Sequence, residues 1–465
     1  MVLIHPIYAE EEMKKTEILK KWVITEIEQG GLTNGAKLPA QRILAEMFNI
    51  NRSTVQQALS ELAEQELVCA KAGAGVFVTN AAWEIVQQKT PNWPMYIQQS
   101  FHLPNKRVIQ RINELEQQPQ MTRLGTGELA PELLAHEAVS QALKMLTIPA
   151  SSLGYSSPQG DVKLRQLLVE RLKKKGIHVT VDEIMIVSGT LQALQLYAMA
   201  LLKRGDYVQC AESSYLQSIE TFQSFGIHLV QQDILRELNN VEALYAIPTL
   251  NNPTGTVWNL AQRQRVLAKC AAAKLPIIED DVYGELLFHD TLPPLKAMDQ
   301  ANQIIYLNSF SKTVSPGLRI GWVVGPREVI ARMSDVKMQT DYGSSAISQL
   351  IAYELLQNGA YDAHIKQLRQ QLQYRAQQIV EFLQREFSTL STWQTPHGGF
   401  YIWLRFKQPI VTEQLFEHLA SEGILINPGF IYNPHNRHHI RVSYAYASIA
   451  QITVSLGKLK AIITH

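Results

Sequence analysis

Lys312 lies in the stretch Ser309-Phe310-Ser311-Lys312-Thr313-Val314-Ser315-Pro316-Gly317-Leu318-Arg319-Ile320-Gly321-Trp322, one lysine among hydroxyls and glycines with Arg319 following on the same loop. An amine in such a setting suits imine formation with an aldehyde that also carries a phosphate. The hydroxyls of Ser309 and Ser311 and the guanidinium of Arg319 supply phosphate partners, while the amine bonds the aldehyde carbon. Taken alone, a lysine in a Ser/Gly-rich loop is as readily an ordinary solvated residue, so the rest of the chain has to decide.

Four further segments carry candidate chemistry. Ser188-Gly189-Thr190-Leu191 follows an apolar run and opens a helical pattern. Gly189 would allow close backbone approach, and the amides of Thr190 and Leu191 would meet a phosphate at the helix N-terminus. Pro248-Thr249-Leu250-Asn251-Asn252-Pro253-Thr254-Gly255 is a strong turn sequence. Ile277-Ile278-Glu279-Asp280-Asp281-Val282-Tyr283 ends an apolar strand with carboxylates. Arg441, in Ile440-Arg441-Val442-Ser443-Tyr444, is a strand arginine able to fork onto a carboxylate.

Elements that could position these groups are legible in the patterning. At 465 residues the chain exceeds one ordinary core and is expected to divide into two or three domains. Hydrophobic residues make up 46% and charged residues 18%, the balance of a soluble globular protein, and a net charge of +1 gives no global pull toward nucleic acid or membrane. Cys69, Cys210 and Cys270 are far apart, which suggests neither a metal site nor a disulfide framework. The N-terminus has no basic start followed by an apolar stretch, and no apolar run is long enough for a bilayer, so the simplest placement is the cytoplasm. Beyond Pro119, β-rich runs alternate with helical patterns: Glu183–Val187, Tyr207–Cys210, Leu244–Ile247, Ile277–Ile278 and Ile304–Leu307. This alternation predicts a parallel, doubly wound α/β domain. A long helix near Tyr361–Phe387 and strands at Gly399–Phe406 and Ile440–Tyr444 predict a smaller C-terminal α/β domain.

Residues 12–80 read as a separate unit. Ile18, Trp22, Val23 and Ile27 recur at helical spacing up to Gly30-Gly31. A short helix runs through Met47, a third starts at Arg52, and two short strands flank Gly73-Ala74-Gly75. Three helices and a small hairpin make a winged helix-turn-helix. Asn51 can cap the third helix, whose first turn would present amides and the Ser53 and Thr54 hydroxyls to phosphate. Arg52 and Arg42 can reach phosphate or a guanine edge, and the Gly73 wing lets Lys71 approach the duplex. The unit is not basic overall, so affinity would come from a few local contacts and from two modules per dimer. Residues 81–118, with Trp83, Pro91, Trp93, Pro94 and Pro104 among glutamines, read as an interdomain linker.

These motifs carry two resemblances. Leu38-Pro39-Ala40-Gln41-Arg42, Asn51-Arg52-Ser53-Thr54-Val55 and Gly73-Ala74-Gly75-Val76-Phe77-Val78 resemble the GntR-family DNA-binding domain, which implies Arg42, Asn51, Arg52, Ser53, Thr54 and Gly73 as contacts to double-stranded promoter DNA. Residues 119–465 resemble the fold-type I pyridoxal 5'-phosphate (PLP) enzymes of the aspartate aminotransferase group, with a large part at about 150–345 and a small part at about 346–465 together with 119–149. That resemblance implies a Schiff base at Lys312 and a phosphate held by Gly189, Thr190, Leu191, Ser309, Ser311 and Arg319. It implies Asp280 against the pyridine nitrogen, where it keeps the ring an electron sink, and Asn252 and Tyr283 on the phenolic oxygen. Tyr215, in Glu212-Ser213-Ser214-Tyr215, takes the position of the tyrosine that stacks on the ring, although Ser214 replaces the usual proline before it. Arg441 is implied for an effector carboxylate, and Tyr155, in Gly154-Tyr155-Ser156, for the phosphate of the neighbouring subunit in a head-to-tail homodimer.

A GntR module ahead of an aminotransferase-like domain is similar in layout to the MocR (GabR-type) transcriptional regulators. The function this implies is a PLP-dependent regulator sensing an amine, an amino acid or the cofactor itself. The alternative is a working aminotransferase with an incidental N-terminal module, and a third reading is a scaffold that binds neither cofactor nor DNA.

Overall fold

The computed structural model describes residues 15–28, 30–79, 93–98, 102, 104–235, 240–289 and 292–464. Parts of the expected DNA module (12–14 and 80) and most of the expected linker up to 103 lie outside the described residues. The chain forms two compact units, residues 1–100 and 101–465.

In the first unit, α1 (Lys15–Glu28) buries Leu19, Val23 and Ile27, one residue per helical turn on a single face. α2 (Gln41–Met47) buries Leu44, and α3 (Arg52–Glu64) buries Val55, Ala58, Leu59 and Leu62. These side chains share one core with Leu38, Leu67, Val68 and Val78. β1 (Val68–Lys71) and β2 (Gly75–Val78) pair antiparallel, Val68 opposite Val78 and Lys71 opposite Gly75. Gly73 turns the hairpin at φ +73°, a conformation that costs glycine nothing. The winged helix-turn-helix expected from the sequence is the fold observed.

The second unit is built on a seven-stranded sheet in the order β4-β10-β9-β8-β7-β5-β6. The strands are β4 (Ile184–Val187), β5 (Tyr207–Cys210), β6 (His228–Gln231), β7 (Ala243–Ala246), β8 (Ile277–Asp280), β9 (Ile304–Ser309) and β10 (Gly321–Val324). Successive residues of β4 alternate between two cores, Ile184 and Ile186 entering one, Met185 and Val187 the other. Both faces are therefore covered by helices, which is why the strands read as unbroken apolar runs rather than alternating ones. One feature departs from the parallel sheet expected: β10 runs antiparallel to both β4 and β9. Its sequence, Gly-Trp-Val-Val, follows the lysine loop so closely that the chain has no room for a crossover helix and must turn back.

A second sheet, β11 (Ser391–Thr392), β12 (Tyr401–Phe406), β14 (Asn427–Pro428) and β15 (His439–Ser443), is antiparallel in the order β11-β12-β15-β14. A short parallel pair joins β3 (Thr122–Arg123) to β13 (Ile424–Leu425). The helix Ala360–Phe387 packs Leu368, Leu372, Ile379, Leu383 and Phe387 into the core of this smaller part. Core packing revises the expected boundaries. Helix Ala346–Gln357 puts Ile351, Ala352 and Leu355 in the large-part core, so the division falls within the long helix rather than near 346. Ala142, assigned with the small part, also packs in the large-part core. Arg107–Glu116, expected as linker, is a helix whose Ile112 and Leu115 belong to the small-part core. Among the described residues no helix is long and apolar enough to cross a membrane.

Candidate functional site

Parallel strands converge at their carboxyl ends, where loops can carry chemistry. β9 ends at Ser309 and leads directly into Lys312; β8 ends at Asp280; the turn after β7 carries Asn252; the segment after β5 carries Tyr215. A cavity of about 540 Å³ opens there, its wall including Lys312, Asn252, Tyr215, Leu191, Tyr401 and Arg441. Thus residues as far apart in sequence as Leu191 and Arg441 line one space.

Lys312 Nζ donates to the Gly127 carbonyl oxygen at 2.7 Å. Its loop is held by Ser309, whose hydroxyl donates to Ile320 O at 3.0 Å and accepts from Ser311 N at 3.0 Å. Ser309 is buried and committed to this turn, whereas Ser311 is half-buried with its Oγ 2.9 Å from Ser309 Oγ. Arg319 takes a left-handed backbone conformation at φ +53° and donates a guanidinium N–H to the Ser188 carbonyl. It thereby lies at the N-terminus of helix Thr190–Leu201. A Cβ at Gly189, where φ is +91°, would sit 3.0 Å from the Arg319 guanidinium, so only glycine leaves this cradle of cation and free helix amides open.

Asp280 and Asp281 are neighbours on an extended chain and face opposite sides. Asp281 turns toward Tyr306, which donates to it at 2.7 Å, and Lys175 lies 3.5 Å away. Asp280 is 2% exposed, and its Oδ2 accepts from Tyr245 Oη at 2.8 Å. Burial pushes its carboxyl up from 3.8 to about 6, against the hydrogen bonds from Tyr245 and the Val282 amide. Its Oδ1 is buried with no hydrogen-bond partner, a position that a ligand N–H would satisfy. An acceptor short of a donor, an anion cradle and a primary amine are the three fixtures that a phosphate-bearing pyridine aldehyde requires, so the residues present fit PLP.

Tyr215 lines the cavity, and burial pushes its phenol up to about 12. Ser214, where the resembled family has proline, accepts from Leu216 N at 3.3 Å and so fixes the turn that carries Tyr215 by a hydrogen bond instead of a ring. Asn252 is buried, and its Oδ1 accepts from Arg441 Nη1 at 2.7 Å. Arg441 Nε donates to the Gly125 carbonyl at 3.0 Å, and its guanidinium lies against the rings of Tyr401 at 4.1 Å and Tyr432 at 5.2 Å. Two neutral acceptors thus hold the Arg441 guanidinium in place. Tyr283 is buried with its hydroxyl 2.9 Å from that of Tyr401, and Tyr401 is the one that lines the cavity. Tyr155 is 90% exposed, its ring 5.0 Å from that of Tyr342, and it is not among the residues lining this cavity.

Four contributors escaped the sequence reading. Tyr245 lies mid-strand among apolar residues. Tyr401 hides behind the Gly398-Gly399 turn, which was the available signal. Gly125 and Gly127 supply backbone carbonyls, which no side-chain motif announces; their close spacing was the only hint, and a Cβ at Gly127 would lie 2.8 Å from Tyr401 Oη.

In the first unit, Asn51 caps α3 as expected, accepting from Thr54 N at 2.8 Å. The same oxygen also takes the Ser53 and Thr54 hydroxyl protons, at 2.8 and 2.6 Å. Each hydroxyl proton is thus engaged by Asn51, while both side chains stay at the exposed first turn of α3. Arg42 and Arg52 are exposed, Arg42 only 3.9 Å from Glu46, and nothing lies within 4 Å of a Cβ built at Gly73.

Comparison with known proteins agrees with both halves. Residues 119–459 match the model of aminotransferase class I and II, and residues 17–78 match that of bacterial regulatory proteins of the gntR family. The chain therefore belongs to the HTH-type transcriptional regulators that join a GntR module to an aminotransferase class I and II domain, the MocR-type architecture. It is 41% identical over 452 residues to an uncharacterised HTH-type transcriptional regulator, YisV, of Bacillus subtilis (strain 168), covering 94% of this chain and 93% of that one. It is 34% identical to the HTH-type transcriptional regulator NorG of Staphylococcus aureus (strain N315), covering 91% and 98%. Among solved structures, the kynurenine aminotransferase of Pyrococcus horikoshii, determined with PMP, superposes with a TM-score of 0.73 at 26% identity, covering 82% of this chain and 98% of that one.

Proposed function

We propose that this chain is a PLP-dependent transcription regulator that binds promoter DNA through its module at residues 12–80 and senses an amine, an amino acid or PLP itself at Lys312. The observation that carries this reading is the buried, unpartnered Oδ1 of Asp280 beside a cavity lined by Lys312 and Arg441. PLP, when bound, supplies an aldehyde for amine exchange and a ring that withdraws electrons. The chain's own residues do the rest. Arg319, Ser311 and the amides of Thr190 and Leu191 hold a phosphate. Asp280 accepts a hydrogen bond from a ring N–H and keeps that nitrogen protonated. Lys312 presents a primary amine, which Gly127 O orients, and gives way to an incoming effector amine. Arg441 exchanges the Asn252 and Gly125 oxygens for an effector carboxylate, a stronger, charged acceptor. An effector changes transcription only if it binds the DNA-competent and incompetent states with different affinity, and the release of Asn252 and Gly125 is a source of that difference.

The test is an absorbance scan of purified protein against a panel of amines, amino acids and PLP, paired with promoter binding at matched salt. A visible band moved by one compound, together with a changed promoter affinity, is the expected result. Protein without such a band after incubation with PLP would sink the proposal. A second reading, a working aminotransferase, is favoured by the presence together of Lys312, Asp280 and Arg441. Steady-state conversion of an amino acid and a keto acid at ordinary enzyme rates, without effect on DNA binding, would establish it instead.

A further inference from the structure

The wall of the Lys312 cavity carries more negative charge than the proposed chemistry uses. Glu116, Glu128 and Glu220 line it together with Lys312 and Arg441. Glu220 is answered by Lys106, whose Nζ lies 3.4 Å from its carboxylate. Glu128 is exposed, so water screens it. Glu116 is half-buried at the end of helix Arg107–Glu116, and among the described residues it forms no hydrogen bond or ion pair. Asn427 on β14 pairs with Arg441 on β15, lines the same cavity and is 7% exposed. Its Oδ1 is buried with no hydrogen-bond partner. A carboxylate and an amide oxygen are thus acceptors in want of donors.

Glu116 acts on Arg441 through space. Burial pulls the Arg441 guanidinium down, and the Tyr401, Tyr432 and Tyr283 phenols together with Glu116 outweigh it. In the proposed function an effector carboxylate takes Arg441, and Glu116 then meets a second anion in the same part of the cavity. A neutral effector side chain leaves that repulsion standing, and an acidic one adds to it. Among the described residues lining the cavity Arg441 is the one arginine, so a second effector carboxylate has no clamp of its own. A side chain that ends in a cation offsets the repulsion and supplies donors to Glu116 and to Asn427 Oδ1.

We propose that the effector is an amino acid whose side chain ends in a second cationic group, an ammonium or a guanidinium, and that Glu116 selects it. The proposal rests on the reading of this cavity as the effector site and names the class of compound that the site takes.

The experiment titrates the full-length protein with matched pairs that differ only in the terminal ammonium. After loading with PLP, the visible band reports L-ornithine against L-norvaline and L-lysine against L-norleucine. Before loading, calorimetry reports 5-aminopentanoate against pentanoate and 6-aminohexanoate against hexanoate. These carboxylates can reach Arg441 and Glu116 without an α-amine to compete at Lys312. In the parent the ammonium member of at least one pair should bind about tenfold tighter, the scale of one partly screened charge-assisted hydrogen bond. Glu116→Gln should cut that preference to about twofold or less through weaker binding of the ammonium member, and Glu116→Lys should turn it toward L-glutamate. A parent with no ammonium preference overturns the proposal, as does a Glu116→Gln that keeps the parental one. If Glu116→Gln fails to fold in a thermal melt, the parental comparison decides alone. Where a visible band forms, its titration decides the selectivity. Where none forms, the PLP reading itself has failed, and the calorimetric pairs decide whether Glu116 still selects a cation.

Discussion

At the scale of single residues, the chemistry concentrates on Lys312 and Asp280. Lys312 is the amine in the cavity wall, so Lys312→Ala should abolish the borohydride-reducible covalent adduct with PLP while leaving phosphate-mediated binding. A mutant that still yields a reducible adduct in this cavity would refute the assignment. Asp280 makes a claim that can be read from stability. Its folded carboxyl is raised from 3.8 to about 6, so between these values the folded state holds a proton that the unfolded state has lost. Asp280 therefore makes cofactor-free protein less stable as pH rises through that window, and the loss is complete above about 6. Asp280→Asn should flatten that part of the profile in thermal melts, and PLP should flatten it in the parent by giving Oδ1 a donor. The same variant should weaken PLP by about 100-fold or more, the cost of removing one partner from a buried charged pair. Unchanged affinity would mean that the carboxylate does not meet the ring.

At the scale of elements, α3 joins a strong cap to an exposed arginine, and α2 carries a second, Arg42. Asn51 satisfies the first turn internally, and Arg52 immediately follows it. A helix whose N-terminal turn is rigid can present Arg52 to a groove at little further ordering cost. Arg52→Ala should cost about 1–3 kcal/mol per half-site if it reads a base edge, and less if it meets phosphate alone. Arg42→Ala should act mainly on phosphate contact and lower the salt slope. Neither should move the cofactor spectrum, because Lys312 lies in the other compact unit. Parent-like promoter binding by both variants at matched salt would remove the DNA-reading role from this module.

For the whole molecule, the outstanding residue is Tyr155. A tyrosine exposed at 90% stands against Tyr342 and lies off the cavity that holds Lys312. We expect it to complete the phosphate site of a second copy in a head-to-tail dimer. Small-angle scattering should therefore report a dimer, and Tyr155→Phe should weaken PLP without changing the oligomeric state. A monomer that binds PLP at parental affinity would rule this out. Two DNA modules per dimer would also make the Arg52→Ala loss larger on a paired operator than on one half-site.

Much of this was legible in the chain itself. The period of Leu19, Val23 and Ile27 and the Asn51 cap are local, so the winged helix-turn-helix follows from patterning and turn chemistry. Lys312, Arg319, Asn252, Asp280 and Arg441 stand in short motifs whose residue types already imply amine, anion and carboxylate chemistry. What tertiary structure alone decided is how these motifs face one another. Asp280 and Asp281 are equivalent as sequence, and only the sheet sends one to Tyr245 and the other to Tyr306. The short link from β9 turns β10 back, but its insertion beside β4 is a long-range pairing that its apolar composition does not encode. Tyr401 is an aromatic after two glycines until folding sets its hydroxyl on Tyr283 and its face on Arg441. Local propensity and periodicity depend on near neighbours and are written in the sequence, whereas contacts across more than a hundred residues exist only once packing has brought the strands together.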